Sequence, residues 1–226
     1  MRIIKKTISD SGRVHVYVFG IKIISYRIKN YHIQNDCRIH GVGNDVVVGK
    51  HSTPELNIYG DNNRVRIDSV GGGLAVHLGF GTGECNNCSV SVGAGTTFVS
   101  ADIRVREDNV NISIGEDCQF SEKIFIWASD THTITDMDGN VTNFGKYVTI
   151  GNHVWVGYGA TICKNTKIAD GCIIGTGAVV SGTFDKPNCV IAGNPARVVK
   201  ENAKWDRRPI QNYIASVKNK SVTSGN

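Results

Sequence analysis

The sequence predicts an all-β solenoid made of short strands and tight turns. Val occurs 26 times and Ile 25 times in the 226 residues, whereas Leu occurs three times and Glu six times. β-branched residues favour strands, and the shortage of strong helix formers argues against a mostly helical fold. Gly occurs 26 times and Asn 20 times, a frequency typical of a chain with many turns.

A six-residue repeat predicts the geometry of the solenoid. Every sixth residue between 150 and 180 is Ile or Val, and a small residue follows each one. The aliphatic positions are Ile150, Val156, Ile162, Ile168, Ile174 and Val180. Two residues after the small one, four of the six repeats carry Gly or Asn, which tolerate a left-handed corner. Each repeat therefore describes one strand and one turn, and three repeats close a three-sided coil of 18 residues.

The same frame continues towards the N-terminus. Ile114, Phe120 and Ile126 lie 36, 30 and 24 residues before Ile150, all multiples of six. Further upstream, four similar segments start 19, 25 and 22 residues apart, which fits coils with small insertions. These segments are residues 43–49, 62–68, 87–93 and 109–115. We expect coils from about Tyr31 to Val190, with an irregular stretch at residues 71–83.

Three segments depart from the repeat. Residues 130–147 are polar and rich in turn formers, so they predict an extruded loop, and long loops on a rigid scaffold commonly carry function. Residues 1–30 alternate weakly and predict a capping hairpin before a solenoid domain of residues 31–200. Residues 201–218 favour a helix that covers the open end, within a C-terminal segment of residues 201–226.

Charge and composition exclude several classes. The chain has 25 Lys and Arg against 20 Asp and Glu, with no basic stripe that would indicate nucleic-acid binding. The early apolar run of residues 14–24 is too short for a transmembrane segment, and no signal peptide pattern follows the basic start. Cys85 and Cys88 have metal-like spacing but lack a second pair, so we expect reduced core thiols, no metal and a cytoplasmic location.

Two sets of motifs resemble the hexapeptide-repeat acyltransferases. One is the run from Ile150-Gly-Asn-His-Val-Trp to Ile174-Gly-Thr-Gly-Ala-Val, followed by Ala192-Gly-Asn-Pro-Ala-Arg-Val-Val-Lys200. The other, Phe125-Ile-Trp-Ala-Ser-Asp-Thr-His-Thr-Ile134, is similar to the histidine-bearing segment of the branch that O-acetylates bacterial capsular and other surface polysaccharides. The resemblance covers about residues 40–205. It implies a left-handed parallel β-helix, acetyl-CoA as co-substrate, and a homotrimer with active sites between subunits.

The resemblance implies that His132 is the general base for a sugar hydroxyl. A largely neutral imidazole can accept that proton, although an exposed loop histidine is the alternative interpretation. Asp130 or Ser129 could hold the ring in the correct tautomer, but Ser-Asp-Thr is equally a turn sequence. Trp155 is implied to line the groove near His132, or else to pack at a subunit interface without a catalytic part.

The implied cofactor site is long, because coenzyme A has a pantetheine arm and negatively charged phosphates. The resemblance implies that the pantetheine arm lies along a groove and is bound by main-chain groups of the coils, which by position points to Tyr158, Ala160, Thr176 and Ser181. It also implies that Arg197 and Lys200 meet the phosphates, with Lys186 as an additional basic residue.

The expected function is acetyl-CoA-dependent O-acetyl transfer to a sugar hydroxyl of a bacterial capsular or other surface polysaccharide. Alternative acceptors are an amino group on a nucleotide sugar and an antibiotic hydroxyl. Alternatives of other classes are a zinc β-helix enzyme of the carbonic anhydrase type and a non-catalytic scaffold. The zinc enzyme needs three histidine ligands, and no third histidine lies in register with His132 and His153.

Overall fold

The computed structural model describes residues 4–8, 13–18, 21–29, 37–50, 52–79 and 83–223, and within them the chain is mostly strand with one C-terminal helix. The strands are β1 (Ile4–Ile8), β2 (Arg13–Val18), β3 (Ile21–Lys29), β4 (Cys37–His40), β5 (Asp45–Val48), β6 (Glu55–Tyr59), β7 (Arg64–Ile67), β8 (Gly71–Leu78), β9 (Ser89–Val92), β10 (Thr97–Val105), β11 (Asn111–Ile114), β12 (Gln119–Phe120), β13 (Ile124–Trp127), β14 (Tyr147–Ile150), β15 (Trp155–Val156), β16 (Thr161–Cys163), β17 (Thr166–Ile168), β18 (Ile173–Ile174), β19 (Val179–Val180), β20 (Thr183–Phe184), β21 (Val190–Gly193) and β22 (Ala196–Lys200). The helix is α1 (Ile210–Thr223).

The strands of the coils stack in three columns of parallel pairs. The first column contains β5, β7, β9, β11, β14, β17 and β20. The second contains the start of β10 followed by β12, β15, β18 and β21. The third contains β4, β6, β8, the end of β10, β13, β16 and β19. From β10 onwards each coil passes through all three columns, whereas the earlier strands β4–β9 alternate between the third and first columns, apart from the start of β8, which pairs with the start of β10. The predicted all-β architecture of parallel strands is confirmed.

The strand registers confirm the predicted spacing of the coils. Val48 pairs with Ile67, Ile67 with Val92, and Val92 with Ile114, at the predicted separations of 19, 25 and 22 residues. In the regular part, Ile150 pairs with Ile168, one 18-residue coil away. Ile114 pairs with Ile150 across 36 residues, because the extruded loop adds the length of a whole coil. The insertion therefore preserves which side of each strand faces the core.

Aliphatic residues fill the interior, and small residues allow the coils to approach. Ile126, Val156 and Ile162 have no exposed surface, and their separations of 30 and 6 residues keep them in the six-residue frame. A Cβ at Gly151 would lie 2.2 Å from the Asp170 carboxylate of the next coil, so a larger side chain would push the coils apart. The predicted corners have positive φ, including 56° at Asn165.

The expected irregular stretch at residues 71–83 is only partly irregular. Gly71–Leu78 forms β8, which pairs with β6 and β10 along its length. Glycine is required there by close stacking, since a Cβ at Gly72 would lie 1.5 Å from the Phe98 carbonyl oxygen. The departure from the coil begins at Gly79, with φ of 71°, and residues 80–82 lie outside the described residues.

At the N-terminal end, β1, β2 and β3 form antiparallel pairs, and β3 continues in parallel with β5. These strands extend the first column beyond the first coil. Residues 30–36 lie outside the described residues, so the expected start of the coils at Tyr31 is not tested. The boundaries of a cap at residues 1–30 and a domain at residues 31–200 stay predictions.

The C-terminal helix begins later than expected. α1 covers Ile210–Thr223, whereas the sequence favoured a helix from residue 201. Residues 201–208 instead lie extended against the coils, because Trp205 and Arg207 bond to distant backbone groups, and tertiary contacts override helix propensity. In the part of the chain that the structure describes, no helix has the length and apolar character needed to cross a membrane.

Shortening one core side chain tests the buried columns. Ile162→Ala should lower the free energy of unfolding by about 2–5 kcal/mol, because it leaves a cavity that rigid coils cannot fill. Urea denaturation followed by circular dichroism measures this change. Val99→Ala is the control, since Val99 is 61% exposed and its truncation should change the free energy by less than about 0.5 kcal/mol. Equal effects of the two variants would contradict the assigned core.

Candidate active site

An ordered arm projects from the coils at the predicted position of the extruded loop. Residues 129–146, hereafter the arm, leave the coil between β13 and β14. Its two limbs are joined by an antiparallel bridge between Thr135 and Val141. Asp136 closes the tip, since its carboxylate accepts hydrogen bonds from the backbone of Asp138 and Asn140 at 3.0 and 2.8 Å. The arm is therefore a hydrogen-bonded hairpin that can hold a side chain in a fixed place.

His132 lies at the root of the arm with its side chain exposed. Its N–H donates to the Asp130 carbonyl oxygen at 2.8 Å, and its own carbonyl oxygen accepts from Asn143 Nδ2 at 2.8 Å. Among the described residues, none forms a hydrogen bond with its imidazole, which leaves both ring nitrogens available to a substrate. The side chain borders a pocket of about 440 Å³, which is also lined by Arg106, Glu107, Asp108, Asn109, Thr131, Thr133, Val141, Asn143, Phe144 and Gly145.

Asp130 and Ser129, which were expected to orient the imidazole, contact other groups in the structure. The Asp130 carboxylate forms an ion pair with Lys164 and accepts a hydrogen bond from Asn143 Nδ2 at 2.9 Å. The ion pair with Lys164 lowers the pKa of Asp130. The Ser129 hydroxyl accepts from the N–H of Arg106 at 2.7 Å. Both side chains are thus occupied in fixing the backbone of the arm rather than the ring of His132.

Trp155 lies on the second column and points outward, as expected from its place in the repeat. It is 39% exposed, and its ring centroid is 6.1 Å from that of Trp205. Trp205 stacks on His153 at 4.2 Å and donates its Nε1–H to the His153 carbonyl oxygen at 2.8 Å. Sequence reasoning missed Trp205, although an aromatic residue within a polar C-terminal segment could have indicated a docking contact.

Residues 201–208, hereafter the strap, hold Trp205 against the coils. The N–H of Ala203 donates to the Asn188 carbonyl oxygen at 2.8 Å, near the C-terminal end of the solenoid. Arg207 reaches much earlier coils, where it donates to the Asp117 carboxylate at 2.8 Å and to the Cys118 carbonyl oxygen at 2.7 Å. The strap therefore runs back along the corner between the first and second columns.

His132 and Trp155 do not lie together in one chain. The arm leaves the corner between the third and first columns, whereas Trp155 belongs to the second column, on the opposite side of the rod. A site that uses both residues requires a neighbouring chain, because the packed core of the solenoid separates them.

Two of the predicted cofactor residues share one corner. Tyr158 and Thr176 are exposed at the corner between the second and third columns, in successive coils. The N–H of Gly177 donates to the Tyr158 carbonyl oxygen at 2.8 Å, and the Lys123 ammonium lies 5.3 Å from the centre of the Tyr158 ring. This corner gives an aromatic surface with a nearby positive charge.

The other two residues predicted to line the co-substrate, Ala160 and Ser181, are not exposed at this corner. Ala160 is fully buried, and its carbonyl oxygen accepts from the Phe125 N–H at 3.1 Å. Its small side chain belongs to the core, so its role as a liner stays a prediction that concerns its main-chain groups. Ser181 is exposed after β19, towards the corner from which the arm leaves rather than the Tyr158 corner.

Two of the three residues predicted to contact the phosphates are exposed, and the third forms an ion pair. Arg197 and Lys200 are exposed on β22, which pairs antiparallel with β21 at the end of the second column. Lys186 forms an ion pair with Glu201 on the neighbouring strap, which offsets its charge. Arg197 and Lys200 therefore remain the better candidates to meet an anion.

Cys85 and Cys88 lie in the core. Their Sγ atoms each contact a backbone carbonyl oxygen at 3.2 Å, that of Val105 and that of Glu107 respectively. Within the described ranges, no group of three or more His, Cys, Asp or Glu residues is placed to hold a metal ion. The pair therefore packs as small, weakly polar core residues.

Comparison with known proteins confirms the resemblance drawn from the sequence. Residues 147–182 match the family described as bacterial transferase hexapeptide (six repeats). The chain is 34% identical over 120 residues to a polysialic acid O-acetyltransferase of Escherichia coli O1:K1 / APEC, covering 52% of this chain and 38% of that protein. It is 32% identical over 124 residues to a polysialic acid O-acetyltransferase of Neisseria meningitidis, covering 54% and 57% respectively. The chain thus spans less than half of the first relative and just over half of the second.

The structural similarity covers more of the chain than the sequence alignments do. The crystal structure of the polysialic acid O-acetyltransferase OatWY superimposes with a TM-score of 0.63 and 27% identity, covering 86% of this chain and 95% of that chain. The chain therefore carries the hexapeptide repeat of bacterial acyltransferases and resembles their polysaccharide O-acetyltransferase branch.

The strap is expected to loosen at acid pH. Partial burial favours a higher pKa for Asp117, but hydrogen bonds from His153 and Arg207 outweigh burial and hold its pKa below the ordinary value. Because the folded-state pKa is depressed, the stabilisation by Asp117 is present above about pH 4 and is lost as the pH falls through that lower pKa. The protection factor of the Ala203 amide, which corrects for the intrinsic pH dependence of exchange, should therefore fall only below that range.

A substitution tests the same contact at neutral pH. Asp117→Asn should increase tryptic cleavage after Lys204, since Arg207 loses its charged partner. Asp185→Asn is the control, because Asp185 pairs with Lys167 on the first column instead of with the strap. Cleavage of the Asp117→Asn protein at the rate of the unmodified protein would show that Asp117 does not hold the strap.

Proposed function

Because residues 147–182 carry the bacterial transferase hexapeptide repeat, we propose that this chain is an acetyl-CoA-dependent O-acetyltransferase of bacterial capsular or other surface polysaccharides. The observation that carries the proposal is His132, whose imidazole forms no hydrogen bond with the described residues and borders a pocket at the root of an ordered arm. The E. coli and Neisseria relatives are polysialic acid O-acetyltransferases, which makes an acidic capsular glycan the first acceptor to test.

His132 supplies the proton transfer in this proposal. The neutral imidazole accepts the proton of a sugar hydroxyl while the hydroxyl oxygen attacks the thioester carbon. The new ester bond forms, the carbon–sulfur bond breaks, and the imidazolium returns the proton to the departing thiolate. The contacts of Asp130 and Asn143 hold the backbone on both sides of His132, which reduces the reorganisation needed to reach this geometry.

The co-substrate is proposed to lie along the corner that presents Tyr158 and Thr176. Its phosphates would be met by the exposed Arg197 and Lys200 at the end of the second column, since guanidinium and ammonium groups bind phosphate favourably. The use of acetyl-CoA supports a cytoplasmic location, which is part of this proposal.

We further propose a left-handed parallel β-helix that assembles as a homotrimer. The resemblance to hexapeptide-repeat acyltransferases supports the left hand. The trimer is supported by the placement of His132 and Trp155 on opposite sides of one rod, since only an adjoining rod could bring a second Trp155 to His132. Each site would then combine the arm of one subunit with the second column of the next.

Substitution of the proposed base tests the function. His132→Ala should lower kcat by about 10²–10⁴-fold, the usual contribution of a positioned general base. The assay follows coenzyme A release from acetyl-CoA with polysialic acid, other capsular glycans, amino nucleotide sugars and chloramphenicol as acceptors. Circular dichroism and the oligomeric state should be unchanged, because the imidazole makes no hydrogen bond within the described part of the chain.

His40→Ala is the matched control, since His40 stacks on Tyr59 in the early coils and should affect turnover little. Full turnover by the His132→Ala protein would remove His132 as the base. Turnover with chloramphenicol alone would instead assign an antibiotic acceptor.

A further inference from the structure

A polar cluster from two different coils closes the root of the arm. Lys164 follows β16, one coil after the strand that precedes the arm, and its ammonium contacts both the Asp130 carboxylate and the Asn143 carbonyl oxygen. We call Lys164, Asp130 and Asn143 the clamp. Asp130 lies on the outgoing limb of the arm and Asn143 on the returning limb, so one ammonium group ties both limbs to the solenoid.

Asn143 links the clamp to the backbone around His132. Its Nδ2 donates to the Asp130 carboxylate at 2.9 Å and to the His132 carbonyl oxygen at 2.8 Å. Its Oδ1 accepts from the N–H of Ile134 at 2.9 Å. The backbone is thus held at His132 and again two residues later, while no residue in the described ranges bonds to the imidazole itself.

The backbone just before His132 needs such support. Thr131 has a φ of 70°, in the left-handed region that β-branched residues rarely adopt. Strained residues of this kind persist only where surrounding contacts fix them, and they concentrate at functional sites. The bonds of Asp130 and Asn143 lie on both sides of Thr131, so the clamp stabilises the conformation that presents His132.

Lys164 is partly shielded from solvent, which strengthens its ion pair with Asp130. Its side chain is 18% exposed, whereas Lys167, three residues later, is 52% exposed in its ion pair with Asp185. Ion pairs in water contribute little, and a partly desolvated pair is screened less. The ion pair also lowers the pKa of Asp130, so the carboxylate stays charged at neutral pH.

We propose that Lys164 is a positioning residue for acetyl transfer, acting through Asp130 and Asn143 to fix the backbone that presents the His132 imidazole. This inference rests on the proposed function of His132, because the hydrogen bonds of Lys164 to described residues are to Asp130 and Asn143 and not to the ring. It also assigns Asp130 a different role from that expected from the sequence. The Asp130 carboxylate connects Lys164 to the arm instead of orienting the imidazole.

The kinetic test uses Lys164→Met, which keeps the long apolar stem and removes the charge. We expect kcat to fall about 10–100-fold, because a small displacement of a catalytic group slows the reaction by about this factor. The KM for acetyl-CoA should stay within about twofold of that of the unmodified protein. Lys164→Arg should recover most of the activity, because it restores a cation to the clamp. Lys167→Met, which removes an exposed lysine with its own aspartate partner, should match the unmodified protein.

A structural readout separates this inference from the proposed function. In Lys164→Met, the amides of His132 and Ile134 should exchange with solvent faster, while those of β13 and β14 should be unchanged. Asn143→Ala should give the same pattern and provides a second route if Lys164→Met folds poorly. A protein without transferase activity on any acceptor would refute the proposed function, while the amide exchange would still report on the clamp.

Three outcomes would overturn the positioning role. Unchanged kcat in Lys164→Met would do so, whatever the amide exchange shows. Accelerated exchange throughout β13 and β14 would assign Lys164 to the general stability of the coils. A rise in the KM for acetyl-CoA without a fall in kcat would assign Lys164 to co-substrate binding instead.

Discussion

Backbone pairing from coil to coil is the constraint on which the rest of the structure depends. Each inner strand bonds to the strand one coil before and one coil after, so adjacent coils must approach closely. Small residues such as Gly151 permit that approach, and residues with positive φ turn the chain at the corners. The features that depart from the repeat lie at the corners. One projects the arm, one presents Tyr158 and Thr176, and one receives the strap.

Much of the fold could be predicted because a solenoid repeats the same local rule. The spacing of similar segments gave the strand registers even in the irregular early coils, since a strand must keep its aliphatic face inward. The prediction was wrong where close contacts decide the outcome. Gly71–Leu78 was expected to be irregular but is a strand, in which Gly72 and Gly73 lie too close to the backbone of the next coil for a side chain. The helix starts at Ile210 rather than 201 because Arg207 binds earlier coils.

The candidate site was less predictable, because its residues meet through long-range contacts. Family motifs single out His132 and Trp155, and the structure places the His132 side chain beside a pocket, with no hydrogen bond to its ring from the residues that are described. The motifs do not indicate that Lys164 meets Asp130, 34 residues earlier, or that Trp205 packs on His153, 52 residues earlier. Such pairs depend on how coils and insertions stack. The same stacking shows that Ala160 belongs to the core, which its position in the repeat alone left open.

The central claim is that the active site joins the arm of one subunit to the second column of another, and complementation tests it most directly. His132→Ala and Trp155→Ala chains are each expected to be nearly inactive. After unfolding and refolding together in equal amounts, a site between subunits should receive both intact residues in about one quarter of cases. Recovery of roughly that fraction of the unmodified kcat is the predicted result. An inactive mixture that still forms mixed oligomers would contradict the account, because it would show that both residues must come from the same chain.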